Sequence, residues 1–229
     1  MSEHKTEIVE KDPLLQLQGF WKKNQKFILI AALAIVVIVG GYFGYTQYIL
    51  QPKEEKAAEA IYAAQQYFAK DSSKLVLDGD GTNKGVLYII KNYGGTKTAN
   101  LASFYAGVSY LKLGDFNKAV EYLKDFSTGA KQVQMTAYGA LADAYAELNK
   151  KDDAISYYTK AASTFEADEA SSAEYLFRAA LLSETIGKTK EAVELYKQLK
   201  AKFPKTDRGF QADKYIYRLS VEKNDLSVN

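Results

Sequence analysis

The sequence predicts an all-α chain: one N-terminal transmembrane helix, then an α-solenoid of helix-turn-helix repeats closed by capping helices. Three observations predict it. No charged residue lies between Lys26 and Lys53. Turn-forming residues recur at Gly114, Asn149 and Gly187. Small and aromatic residues flank each of those turns at helical spacing. The expected organisation is a tail over 1–26, a transmembrane helix over 27–50 and N-terminal helices, or a degenerate first repeat, over 51–98. Three repeat units over 99–204 and a capping helix with tail over 205–229 complete it.

The span comes first. Residues 27–39 are continuously apolar, and a weaker apolar stretch continues to Leu50. Crossing the hydrocarbon core takes about 20 such residues in a helix. A cleaved signal peptide would have a short basic start, about 7–15 apolar residues and an Ala-x-Ala-like cleavage site. Here the preceding tail is 26 residues long and residues 41–51 contain no Ala-x-Ala, so an uncleaved anchor is expected. Tyr42, Tyr45 and Tyr48 suit the far interface, where aromatic rings sit among headgroups. Lys11, Lys22, Lys23 and Lys26 precede the span closely, whereas only Lys53 and Lys56 follow it as closely. Basic residues favour the cytoplasmic side. The expected topology is therefore single-pass, with the N-terminus cytoplasmic and the C-terminal part across the membrane, which in a bacterium is the periplasm.

After the span, Ala57, Ala60, Ile61, Ala64, Tyr67 and Phe68 share one helical face. A shorter apolar stretch, 86–90, precedes Tyr93-Gly94-Gly95. Three similar units follow. The first carries Tyr105, Gly107 and Tyr110, then Gly114, then Ala119 and Tyr122. The second carries Tyr138, Leu141, Ala142 and Tyr145, then Asn149, then Ala154, Tyr157, Tyr158 and Ala161. The third carries Leu176, Ala179 and Ala180, then Gly187, then Ala192, Tyr196, Leu199 and Pro204. The turns are 35 and 38 residues apart (114 to 149 to 187). Small residues let paired helices approach, aromatics fill the space between pairs, and Gly or Asn tolerates the left-handed conformation that ends a helix. Pro204 stops the last unit. Ala212, Tyr215, Ile216 and Leu219 form a further apolar face, as an end cap should, because each repeat covers only its neighbours.

On these residues the chain resembles the tetratricopeptide-repeat family, whose period is about 34. Three units cover 99–204, and the second carries most of the diagnostic residues. The third departs at Ser183, where the family has an aromatic. The first has Leu123 and Phe126 where an aromatic and a small residue are usual.

Nothing in the composition points to chemistry. There are 30 basic and 28 acidic residues, a net charge of +2, which leaves no basic stripe for nucleic acid. Zero cysteines exclude disulfides, thiolate metal sites and a lipidated cysteine. The single histidine, His4, lies in the polar N-terminal tail. Asp78, Asp80 and Asn83 sit in an Asp-Gly-Asp-Gly run, but a calcium loop would need glycine at Asn83 and glutamate at Ile89. The run reads as a turn. No lysine-serine pair follows Gly79 and Gly81, so it is no phosphate loop either. No enzyme, cofactor or metal is expected.

What the resemblance implies is a groove that grips peptides, lined by the first helices of the pairs. Carried over, its positions are Leu101, Phe104, Val108 and Leu111, then Gly139, Asp143 and Glu147, then Phe177, Leu181 and Glu184. The protein-binding candidates among them are Leu101, Phe104, Val108, Leu111, Phe177 and Leu181. The lysine-asparagine clamp for a terminal carboxylate is absent, because Phe104 and Val108 occupy its places. In layout the chain is similar to the YfgM-like ancillary subunits of the bacterial Sec translocon. That likeness implies a SecYEG-type channel, a PpiD-like periplasmic chaperone and unfolded or nascent client chain as partners. The other reading is an inner-membrane envelope scaffold for cell-division or outer-membrane assembly factors.

Overall fold

The computed structural model describes residues 13–222. His4, Lys11 and the outer parts of the two tails lie outside them. Among the described residues the chain is helical throughout, with no strand beyond one isolated bridge between Gly79 and Lys84. It divides into two compact units, Met1–Pro52 and Lys53–Asn229.

In the first unit, α1 (Pro13–Tyr45) leads into a π-helical turn, Thr46–Leu50. Its richest window has a hydropathy of 2.6 and none of it is buried. The helix is thus long and apolar enough to cross a membrane, with Phe27, Ile30, Val37 and Phe43 all turned outward. Exposed Trp21 stands before the uncharged run and exposed Tyr42 just after its continuously apolar part, residues 27–39. In a straight helix those rings lie about 31 Å apart, close to the thickness of a hydrocarbon core.

The second unit is a series of helical hairpins. It takes in all but the first two residues of α2 (Gln51–Ala69), then α3 (Ser73–Asp78), α4 (Val86–Tyr93), α5 (Lys97–Lys112), α6 (Phe116–Leu123) and α7 (Lys131–Glu147). It continues through α8 (Lys151–Thr164), α9 (Glu169–Thr185), α10 (Thr189–Lys202) and α11 (Asp207–Glu222). The hairpin turns share one hydrogen bond. The N–H of Asp115 donates to the Tyr110 carbonyl, that of Lys150 to Tyr145 and that of Lys188 to Ser183, at 2.9–3.0 Å. The residue before each donor, Gly114, Asn149 or Gly187, has φ between 58° and 78°. This is the Schellman arrangement, which satisfies the last carbonyls of a helix. A fourth copy ends α2: Asp71 has φ 58° and the Ser72 N–H donates to the Tyr67 carbonyl at 2.9 Å.

Three helix starts, those of α5, α6 and α9, carry side-chain caps. Side chains of Thr96, Asp115 and Asp168 accept from the backbone N–H three residues on, at 3.0–3.2 Å. They satisfy donors that no intrahelical carbonyl reaches. Glu54 on α2 adds a long-range cap, accepting from the N–H groups of Lys97 and Thr98 at 2.6 and 3.0 Å. It fastens α2 to the start of α5.

Small residues set how closely the helices approach. Ala119, Ala142, Ala154, Ala180 and Ala192 are fully buried. A Cβ on Gly107 would stand 2.4 Å from Leu123 Cγ, and one on Gly139 would stand 2.3 Å from the Tyr175 ring. Three apolar clusters result. One joins α2–α7, a second joins α5–α8 around Phe104, Leu123, Phe126 and Leu141, and the third joins α7–α11 around Leu176, Tyr196 and Leu199. The departures from family pattern fit this packing. Leu123 and Phe126 fill the second cluster, and buried Ser183 donates its hydroxyl to the Ala179 carbonyl at 2.9 Å. Ala154 is fully buried between packed helices. Ala154→Leu is therefore expected to destabilise the chain by about 1–3 kcal/mol, and an unchanged melting curve would contradict this register.

Candidate functional site

The first helices of successive hairpins, α5, α7, α9 and α11, each carry side chains that are not fully buried. On α5 the stripe is Leu101, Tyr105, Val108 and Leu111, spaced at four, three and three residues, and all are half-buried. They pack partly against the cluster around Phe104 and Leu141. On α7 the corresponding stripe is Thr136, Asp143 and Glu147, and on α9 it is Glu174, Arg178 and Leu181.

Those polar stripes are wired together. The Tyr158 hydroxyl on α8 donates to Asp143, which also accepts from Arg178 at 3.2 Å. Arg178 donates to Glu174 at 2.9 Å, and Arg208 of α11 reaches the other oxygen of Glu174 at 2.7 Å. Further along, Arg218 of α11 donates to Glu184 of α9, which also accepts from Tyr196 at 3.3 Å. Arg208 lies 4.1 Å from the centre of the Phe177 ring, where cation and ring attract. Burial pushes the Glu174 carboxyl up, but hydrogen bonds from Arg208 and Arg178 outweigh it and hold its pKa below the usual range. The Tyr158 phenol is raised by burial and by its bond to Asp143.

Each charge in this ladder already has its opposite. Such a surface offers little to a charged ligand, whereas the α5 stripe offers apolar area with no competing charge. The sign of the ladder's pH dependence follows from Glu174. A depressed folded-state pKa contributes stability that is complete above the unfolded glutamate value of about 4.3 and is lost as pH falls through the folded value. Acid unfolding should accordingly be less steep below about pH 4.3 in Glu174→Gln than in the parent. Parallel acid titrations followed by circular dichroism would check this, and identical curves would count against it.

The six protein-binding candidates do not stay together. Leu101, Val108 and Leu111 lie half-buried on the α5 stripe, and Leu181 is exposed on the α9 stripe. Phe104 and Phe177, expected in the groove, are instead core residues, with 8% and 5% of their surface exposed. Phe104 packs on Phe126 and Tyr105 at 5.4–5.6 Å between ring centres, and Phe177 on Tyr215 and Tyr196 at 5.2–5.9 Å. Their positions point between helices rather than along the stripe.

Gly139 admits the Tyr175 ring, while Asp143 and Glu184 belong to the ladder. The sequence signal for the ladder is the spacing of about 34–35 residues between the acidic residues at 143, 174 and 184 and the arginines at 178, 208 and 218. In the Asp78–Asn83 turn, Asp80 accepts from the Thr82 and Asn83 N–H groups and from the Tyr67 hydroxyl at 2.6–2.9 Å. Those bonds hold its pKa well below the carboxylate range. Among the described residues no group of three or more His, Cys, Asp or Glu side chains could hold a metal ion.

Residues 18–170 match the family described as a tetratricopeptide repeat-like domain, and residues 140–206 match the tetratricopeptide repeat. No curated protein matches the chain. Among solved structures, a crystal structure of nearly identical TPR-like repeats, described as those of a Podosopora anserina kinesin light chain, aligns with 78% of this chain and 88% of its own. The identity is 14% and the TM-score 0.49.

Proposed function

This chain belongs to the tetratricopeptide repeat-like family, and from that premise we propose that it is a membrane-anchored, non-catalytic module that holds other proteins. The observation that carries the reading is the pair of unlike stripes on the first helices. An apolar strip on α5, Leu101, Val108 and Leu111, lies beside a polar ladder in which Asp143, Glu174, Arg178 and Arg208 pair with one another. A surface of this kind suits extended, apolar chain with weak sequence preference. The apolar α1, flanked by Trp21 and Tyr42, supports the anchor. Lys22, Lys23 and Lys26 against Lys53 and Lys56 support a cytoplasmic N-terminus and a periplasmic repeat domain in a bacterial inner membrane.

On this reading the chain is an ancillary subunit of a SecYEG-type translocon, working with a PpiD-like chaperone on emerging secretory chains. The alternative keeps the module and changes the company to cell-division or outer-membrane assembly factors. Affinity purification of the full chain from detergent extracts separates the two by which set is enriched. Recovery of neither set would remove both.

Two predictions test the parts. A reporter placed after Asn229 should report the periplasm, and replacing Lys22, Lys23 and Lys26 by glutamine should invert a fraction of the molecules. A cytoplasmic reporter signal in the parent would overturn the topology. For the groove, Leu111→Ser combined with Leu181→Ser should weaken cross-linking to an unfolded polypeptide, because apolar anchors can each contribute more than about 1 kcal/mol of binding. Undiminished capture by a normally folded variant would show that binding, if any, lies elsewhere.

A further inference from the structure

One edge of the repeat domain is basic and unpaired. Lys53 Nζ donates to the Gly94 carbonyl at 2.7 Å, and Glu54 accepts from the Lys97 N–H at 2.6 Å. Asn100, in the first turn of α5, donates to the Ser127 carbonyl at 2.9 Å, and the Thr128 N–H donates to Gln134 at 2.8 Å. These four bonds gather segments 91–97 and 124–131 at the level of residues 53 and 54. Lys91, Lys97, Lys124 and Lys131 stand exposed on the two segments, beside one carboxylate, Asp125. Glu54 is taken up by its bonds to α5. None of the four lysines makes an ion pair among the described residues. At the other end of α5, by contrast, Lys112 pairs with Asp71 and Lys118 with Asp115.

Covalent reach says what lies next to this edge. Lys53 follows Leu50, the end of the expected span, by three residues, which is at most about 11 Å of extended chain. Lipid headgroups occupy about 5–7 Å on each side of the hydrocarbon core. Charges act across about 8 Å more at physiological salt. Gly94 and Lys97 touch residues 53 and 54 directly, so they stay near the headgroup layer of any bilayer that residues 27–50 cross. An ammonium is a compact point charge that suits phosphate oxygens, and clustered lysines beside a span are drawn to anionic lipid.

We propose that the edge carrying Lys91, Lys97, Lys124 and Lys131 lies on the surface of the membrane that the chain spans and takes anionic lipid headgroups. The inference rests on the membrane-anchored reading given above. It adds a second, electrostatic attachment to the covalent one, and that attachment weakens with salt.

The test uses full-length chains reconstituted in vesicles. The sequence has no cysteine, so a single introduced one can carry a fluorophore. Ser127→Cys puts it on the basic edge, and Asn117→Cys puts it in the first turn of α6, both at exposed positions. Position 117 lies beyond the far end of α5, a helix of 16 residues and about 24 Å. In phosphatidylcholine vesicles with a minor share of phosphatidylglycerol, a nitroxide on the lipid headgroup should quench the 127 label at least several-fold more than the 117 label. Phosphatidylcholine alone should remove most of that difference. So should Lys91→Gln, Lys97→Gln, Lys124→Gln and Lys131→Gln combined, with the melting temperature unchanged because these side chains are exposed. Resistance to alkaline carbonate extraction reports the anchor separately. Retained chain whose two labels are quenched alike overturns the proposal and leaves the anchor standing. So does a difference that persists undiminished in phosphatidylcholine alone or in the quadruple variant. Chain released by carbonate removes the anchor, and this inference with it.

Discussion

Phe104→Ala and Phe177→Ala are each expected to cost about 3–5 kcal/mol of stability, the range for emptying a buried phenylalanine site. For a domain of this size that is a fall in melting temperature on the order of 10 °C. Both rings sit among other aromatic rings, Phe126 and Tyr105 for one, Tyr196 and Tyr215 for the other. Their neighbours are fixed by several helices and cannot collapse into the space. A residue of a binding groove would behave in the opposite way, keeping its melting temperature and losing its partner. The measurement is thermal unfolding of the detergent-solubilised full chain beside capture of an unfolded polypeptide. Parent-like stability with selectively lost capture would return both residues to the groove. Leu181→Ser is the internal contrast, since its side chain is 41% exposed and its loss should scarcely move the melting point.

This contrast shows where sequence reading was strong and where it failed. The helical solenoid was legible because one physical requirement recurs: Ala119, Ala154 and Ala192 must be small, and Gly114, Asn149 and Gly187 must turn left-handed. Periodic constraints repeat in the sequence, so they can be read there. The turn at Asp71 has the same geometry as the other three but a fainter sequence signature, because an aspartate gives a weaker left-handed signal than glycine. It also lies 43 residues before Gly114 rather than about 35, since the Asp78–Asn83 turn lengthens the unit. The groove was the least legible part. Whether Phe104 points along the stripe or between helices depends on a rotation of some tens of degrees about the helix axis, and burial pulls a large apolar ring inward. The ladder from Asp143 to Arg208 joins helices about 35 residues apart in sequence, so its partners declare themselves only once the hairpins are stacked.

Tyr196 should show how far damage spreads along the stack. It is fully buried, lies 4.9 Å from the Tyr215 ring and 5.9 Å from Phe177, and donates a long 3.3 Å hydrogen bond to Glu184. Tyr196→Phe keeps the ring and loses only that bond, which should cost no more than about 1 kcal/mol. Tyr196→Ala empties the site, at about 3–5 kcal/mol. The difference between the two variants isolates packing from polarity. Because stacked repeats contact only their neighbours, the alanine variant should lose its protection locally. Amide hydrogen exchange should quicken in α8–α11, whose cluster contains Tyr196, while α5 and α6, held by the other two clusters, keep most of theirs. An equal loss from α2 to α11 would mean that the three clusters unfold as one cooperative body, and nearest-neighbour reasoning would then be wrong for this chain. Equal stability of the phenylalanine and alanine variants would be more damaging still, because it would remove Tyr196 from the core altogether.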